Sequence, residues 1–387
     1  MFFQYFSEIH RKGWSELKIV GIVAEYNPFH TGHRYHIAET RRRIGGDCAV
    51  VAVMSGNFVQ RGECAVTDKW TRAQMALEGG ADLVLELPTV WAAASAEQFA
   101  FGAVSILNMA GADTISFGSE SGDSAALRRA AEALNSPAFQ SALRTHLDQG
   151  LPFAVCRQRA VEELIGADGA ACLSNPNDNL GVEYLKAAQR LDFHPDVIAV
   201  TRVGAAHDGG DHPEYPSASH VRRQILAGEY PMENPASLTY NERGILTILR
   251  GVKAEDLAQL PDSGEGLDRR LYEAIRKAEA LEQVYDLTKS KRYAHARIRR
   301  MVLWAALGLK ESDRPEQVPY LRVLGANERG RAVLKAIPEE VSVITKPSHG
   351  KGLPLMELEA RCTDFYAMCR KQPGICGAEW STSPIIL

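Results

Sequence analysis

The sequence has no pair of cysteines at C-x-x-C spacing, and its seven cysteines (Cys48, Cys64, Cys156, Cys172, Cys362, Cys369 and Cys376) lie far apart and are odd in number. That argues against a zinc knuckle or a disulfide framework and points to reduced, mostly buried thiols in a cytosolic protein. Cys362 and Cys369 are expected on one packed helix face, with Pro373-Gly374 separating Cys376 from it. No apolar run approaches the roughly 20 residues a membrane span needs, so no membrane partner is expected. Residues 1–18 have Gln4, Ser7, Glu8, His10, Arg11 and Lys12 where a secretory signal has its apolar core, so they read as a short leader. Charge of one sign is also lacking: the net charge is −4. A DNA-binding protein with a global basic field is therefore not expected, and any nucleic-acid site must be a local patch. Internal repeats and low-complexity segments are absent.

What remains is an ordinary globular composition, 45% apolar and 24% charged over 387 residues, long enough for two domains. One stretch organises it. Ile19 to Val23 is an apolar run rich in β-branched residues and reads as a buried strand. Asn27-Pro28 breaks the extended pattern, and a helix follows from His33 through Tyr35 and Ile37. The connecting loop carries His30-Thr31-Gly32-His33. A helix N-terminus offers free N–H groups and a positive dipole end. Two imidazoles add donors there, and Gly32 lets a ligand approach the backbone. The simplest chemistry is a cradle for a nucleotide triphosphate. A histidine pair with no ligand, and a zinc site built from His30, His33 and His36, are the alternatives. The glycine-rich dinucleotide pattern does not fit, because only Gly32 falls in the turn.

Strands are expected at Cys48 to Met54, Asp82 to Leu87, Thr114 to Phe117 and Val197 to Arg202, alternating with helices. Such alternation predicts a doubly wound, parallel, Rossmann-like α/β sheet whose ligands sit at the carboxyl ends of the strands. This unit spans 19–230. Ser55 to Val66 reads as a polar loop. Ser217-Ala218-Ser219-His220-Val221-Arg222 opens another helix and suits a second phosphate site, although a Ser N-cap beside a surface Arg explains it equally well. Pro231 to Pro235 marks a junction, and 231–387 reads as mostly helical. Lys289-Ser290-Lys291-Arg292-Tyr293-Ala294-His295-Ala296-Arg297-Ile298-Arg299-Arg300 contains no acid. It is either a solvated helix face or an RNA-contacting patch through Lys289, Lys291, Arg292, Tyr293, Arg297 and Arg300.

With these residues in hand, the chain resembles the bacterial tRNA(Met) cytidine acetate ligases, members of the H-x-G-H nucleotidyltransferases. The resemblance covers nearly everything after Lys18. It is carried by the run from Val23 through Glu25-Tyr26-Asn27-Pro28-Phe29 to His33, by Met54-Ser55-Gly56-Asn57-Phe58-Val59-Gln60-Arg61-Gly62-Glu63, by Phe117-Gly118-Ser119-Glu120 and by Lys289-Ser290-Lys291-Arg292-Tyr293. It implies a nucleotidyltransferase fold with a helical C-terminal tRNA-binding domain. It also implies a reaction: ATP and acetate give acetyl-adenylate and pyrophosphate, and the acetyl group passes to the wobble cytidine of elongator tRNA(Met) as N4-acetylcytidine.

The family's ATP contacts map onto Gly21, Ile22, Val23, Ala24, Glu25, Tyr26, Asn27, Pro28, Phe29, His30, Thr31, Gly32, His33 and Arg34, then Gly102, Asn177 and Arg202. Ser217, Ser219 and Arg222 match the second phosphate motif, with Ser219 where Thr is usual. Asn175 stands where Lys is common, and His207-Asp208 is kept. The expected catalytic groups are His30, His33 and Arg222. Mg²⁺ is expected to accompany the triphosphate without a dedicated protein cage. The competing functions are a small-molecule adenylyltransferase and a non-catalytic RNA-binding protein with an idle nucleotide fold.

Overall fold

The computed structural model describes residues 17–151, 153–202, 216–290 and 293–387. Most of the leader, His207-Asp208, Lys291 and Arg292 lie outside the described residues.

The chain opens with β1 (Lys18–Ala24), helix α1 (Thr31–Ile44) and β2 (Cys48–Ser55). A short antiparallel hairpin follows, β3 (Phe58–Val59) and β4 (Glu63–Cys64), in the segment that reads as a loop in the sequence. Next come α2 (Lys69–Glu78), β5 (Leu83–Leu87), α3 (Ala96–Met109) and β6 (Thr114–Ser119). Several helices then lead to α4 (Pro176–Arg190), β7 (Asp196–Thr201) and α5 (Ala218–Ala227). The helical stretch beyond ends in α6 (His295–Leu307) and is followed by β8 (Leu321–Ala326), β9 (Val343–Ile344), α7 (Pro354–Met368) and β10 (Ile385–Ile386).

The main sheet runs β10-β8-β5-β2-β1-β6-β7, with β9 beside β8. β1 pairs in parallel with β2 and with β6, β2 with β5, and β6 with β7. Every residue of β2 and β5 is buried, as strands covered by helices on both faces require. The doubly wound α/β fold expected from the alternation is what forms. One feature goes beyond it. β8, from past the Pro231–Pro235 junction, joins the sheet antiparallel to β5, and β10 pairs with β8. All six residues of β8 are buried, and its pairing covers an otherwise open edge of β5. The sheet therefore draws on both halves of the chain.

The two halves are also joined by side chains. Trp304 of α6 is fully buried and its indole N–H donates to the Ala93 carbonyl at 2.6 Å. At the carboxyl end of β5, the buried Lys69 ammonium lies 2.6 Å from Glu86 and 2.6 Å from Glu379. Glu359 of α7 caps Thr89 there, accepting from its N–H at 2.5 Å and its hydroxyl at 2.8 Å. All seven cysteines are free thiols and six are buried; Cys376 is exposed.

The chain passes β1, β2, β5 in one direction across the sheet, then returns to place β6 on the far side of β1. The strand order reverses between β1 and β6. A crevice opens outside the carboxyl ends at such a point, and that is where doubly wound sheets bind ligands.

Candidate active site

The loop leaving β1 at this switch point leads into α1 through a cis Asn27–Pro28 peptide. His30 is the N-cap of α1, and its Nδ1 accepts from the Gly32 N–H at 3.1 Å. His33 returns the bond: its Nδ1 accepts from the His30 N–H at 3.2 Å. A backbone N–H can only donate, so both Nδ1 atoms are unprotonated and each neutral ring carries its proton on Nε2. Each ring thus keeps an Nε2–H donor. The rings stack with centroids 3.8 Å apart. A Cβ on Gly32 would lie 2.9 Å from the His30 ring, so a larger residue there would disturb this pair.

Both rings are held neutral. Burial, with the charges of Arg202 and Arg222 added, pushes the His30 imidazolium down to about 4. Burial lowers His33 well below the usual histidine range, reinforced by His30, His36 and Arg202. Burial and Arg202 likewise lower His36 to about 4, while its Nε2 lies 3.0 Å from the Ser116 hydroxyl of β6. Concentrated positive potential that disfavours imidazolium favours an anion.

Arg222 of α5 closes one side of the crevice. Its guanidinium donates to the Asn27 carbonyl at 2.7 Å and to the Ser219 hydroxyl at 3.0 Å. Ser217 caps α5, accepting from the His220 N–H at 3.2 Å. The buried Arg72 of α2 ties the loop ends together, donating to the carbonyls of Thr67 at 3.0 Å, Glu25 at 2.7 Å and Ser55 at 3.0 Å, and also to Gly56. Arg72 spans the carboxyl ends of β1 and β2, so one side chain sets the spacing of two loops.

The other side is built where β6 meets the start of α4. The Glu120 carboxylate accepts from the N–H groups of Asn177 at 3.2 Å and Asp178 at 2.9 Å, and from the Asn177 amide at 2.5 Å. The buried Asp178 carboxylate answers, accepting from the Glu120 N–H at 3.0 Å, the Ser121 N–H at 3.1 Å and the Ser119 hydroxyl. The Asn177 carbonyl oxygen then accepts from Arg202 at 2.9 Å. A carboxylate only accepts and a guanidinium only donates, so this chain fixes which way the Asn177 amide faces. Arg202 is exposed, and its charge bears on all three histidines.

Of the residues expected at the site, His30, Thr31, Gly32, His33, Asn177, Arg202, Ser217, Ser219 and Arg222 belong to the elements around this crevice. Gly21, Ile22, Val23 and Tyr26 are buried, and the side chains of Ile22, Val23 and Tyr26 pack in the core. A Cβ on Gly21 would strike Leu107, and one on Gly102 would lie 2.5 Å from the Trp91 ring; both glycines permit close packing. Sequence reasoning missed Arg72, Glu120 and Asp178. Glu120 was visible only as the last residue of the Phe117-Gly118-Ser119-Glu120 motif.

Among the described residues of the basic run, Lys289, Tyr293, Arg297, Arg299 and Arg300 are all engaged within the fold. Tyr293 is buried and donates to the Glu265 carbonyl at 2.7 Å. Arg297 pairs with Glu265 at 2.9 Å, and Arg300 with Asp262 at 2.7 Å. Arg299 pairs with Glu63. Lys289 donates to the Tyr293 carbonyl at 2.5 Å. The acids absent from the run come from elsewhere in the fold. Among the described residues no group of three or more His, Cys, Asp and Glu side chains is placed to hold a metal.

Residues 17–376 match the HIGH Nucleotidyl Transferase family. A tRNA(Met) cytidine acetate ligase of Clostridium perfringens is 34% identical over 96% of this chain and 100% of its own length. That of Caldanaerobacter subterraneus is 36% identical over 92% of this chain and 96% of its own. The structure of Thermotoga maritima TmcAL bound with alpha-thio ATP is 30% identical, with a TM-score of 0.86 over 96% of this chain and 99% of that one. Its apo form gives 0.88 over the same coverage. With the paired histidines at the switch point and near-full-length relatives on both counts, the chain belongs to the tRNA(Met) cytidine acetate ligases of the HIGH nucleotidyl transferase family.

Proposed function

We propose that this protein activates acetate with ATP and transfers the acetyl group to the wobble cytidine of elongator tRNA(Met). One observation carries the reading: two Nε2–H donors on the N-terminus of α1, fixed by reciprocal capping and faced by Arg202 and Arg222. The triphosphate lies against that N-terminus. An acetate oxygen attacks the α-phosphorus, the bond to the pyrophosphate oxygen breaks, and acetyl-adenylate forms. His30, His33 and Arg222 bind the leaving pyrophosphate as its charge grows, which is where fixed donors accelerate such a transfer. The exocyclic amine of cytidine then attacks the acyl carbon and AMP leaves.

The chain's own residues do not form a cage for Mg²⁺ among the described residues. A Mg²⁺ ion in this reading travels on the triphosphate, and no step is assigned to it. No helix among the described residues is long and apolar enough to cross a membrane. A cytosolic setting follows from the tRNA substrate.

The test is ATP–pyrophosphate exchange with and without acetate, followed by labelled acetate with bulk tRNA. Acetate-dependent exchange and label in the RNA are the expected results. Label in neither the RNA nor the adenylate, with tRNA present, overturns the proposal.

A further inference from the structure

The β3–β4 hairpin sits between the nucleotide loop and the helical half. It turns through Gln60, Arg61 and Gly62, with Gly62 N–H donating to the Val59 carbonyl at 2.9 Å. Gly62 has φ 75°, and a Cβ there would lie 2.5 Å from the backbone at Arg299 and Arg300. The turn therefore needs glycine both for its conformation and for its seat on α6. On its other side the Gln60 N–H donates to the Glu25 carboxylate at 3.0 Å. Arg61, between these anchors, is exposed and has no hydrogen bond or ion pair among the described residues.

A second unpaired guanidinium lies close by. Val66, just beyond the hairpin, donates its N–H to the Asn27 side chain at 2.7 Å and packs against Val221 and Ile225 of α5. That contact seats α5 beside the hairpin. Arg223 follows the site residue Arg222 on α5, is exposed, and is also without a partner among the described residues. The charges of both Arg61 and Arg223 reach Arg222.

We propose that Arg61 and Arg223 are the phosphate-contacting surface for the acceptor RNA, seating its single-stranded loop over the mouth of the nucleotide crevice. This rests on the reading of the acceptor as tRNA. Two physical points favour it over Arg297, Arg299 and Arg300 of the 289–300 run. A guanidinium already paired with a carboxylate gains little by exchanging it for a phosphate, whereas an unpaired one gains the counterions released from the RNA. Arginine also suits phosphate through its forked donors. The acceptor amine must reach an acyl group formed beside His30 and Arg222, so backbone contacts belong at the rim of that crevice. Arg61 and Arg223 stand there.

The experiment measures tRNA affinity against salt for the full chain, its R61A/R223A variant and R297Q. For the double variant we expect about a tenfold or greater loss of affinity near physiological salt. The log–log salt slope should shrink by roughly 1.4, at roughly 0.7 per contact. The single variants R61A and R223A should each show about half the slope change, so the result does not depend on the double variant folding. R297Q should keep the wild-type slope. A double variant with unchanged affinity and slope, or a slope lost only in R297Q, overturns the proposal. Wild-type protein that binds no tRNA at any salt overturns the underlying reading instead.

Discussion

Arg222 donates to the carbonyl oxygen of Asn27 at 2.7 Å, across 195 positions of the chain. The bond holds α5 against the loop that delivers His30. A guanidinium has five N–H donors. Bonds to Asn27 and Ser219 leave others for a phosphate oxygen.

That geometry separates charge from shape. R222K keeps the charge and loses the fork, so one ammonium cannot hold the loop and the phosphate together. Acetate-dependent ATP–pyrophosphate exchange should fall about 10- to 100-fold in kcat/KM, the size of one or two charge-assisted hydrogen bonds. R222A should fall further. Wild-type exchange in R222K would remove the guanidinium from the phosphate site.

His30 caps α1 with Nδ1, and in the proposed reading it also presents Nε2–H to the triphosphate. Asn is among the best N-cap residues, so H30N preserves the cap and removes the ring donor. We expect its thermal midpoint to stay near wild type while exchange drops about 100-fold or more, the typical cost of losing a transition-state donor. H30A should lose both, with about 1 kcal/mol of stability gone as well. Equal activity in H30N and wild type would confine His30 to its structural task.

Histidines held neutral in the fold make the protein acid-sensitive. The unfolded chain protonates His36 near 6.5, whereas the folded chain holds it neutral down to about 4. As pH falls through that window the unfolded state binds more protons, so stability is lost on acidification and is unaffected above it. One such histidine accounts for at most about 3–4 kcal/mol. The unfolding midpoint should therefore fall between about pH 6.5 and 4, and H36Q, which keeps a polar group toward Ser116, should flatten the fall. A midpoint that is level across this window would contradict the neutral state of the three rings.

The strands and the phosphate loop were legible because their signals are local. Apolar runs at Ile19 to Val23 and Cys48 to Met54 announce buried strands, and His30-Thr31-Gly32-His33 falls where strand gives way to helix. Partnerships were not legible, because they join distant segments. Nothing near Leu321 says that it will pair antiparallel with β5. The run from Lys289 to Arg300 contains no acid, yet Glu63, Asp262 and Glu265 reach it through the fold. Gln60-Arg61-Gly62 reads as a polar loop because each arm of its hairpin is only two residues long.

The same long-range pairing predicts how the C-terminal segment is held. Lys69 is fully buried between Glu86 of β5 and Glu379, which lies 310 positions away. K69M leaves two buried carboxylates without their shared cation, a loss of about 3–5 kcal/mol. For a chain of this size that lowers the thermal midpoint by roughly 4–6 °C. Neutralising the carboxylates in K69M/E86Q/E379Q removes the uncompensated charge while keeping side-chain volume, so most of the lost stability should return. Arg322, buried and 3.7 Å from Glu379, sets a limit on that recovery, because E379Q also withdraws its nearest carboxylate. A triple variant no more stable than K69M would mean that packing, rather than charge, fastens the C-terminal segment to the sheet.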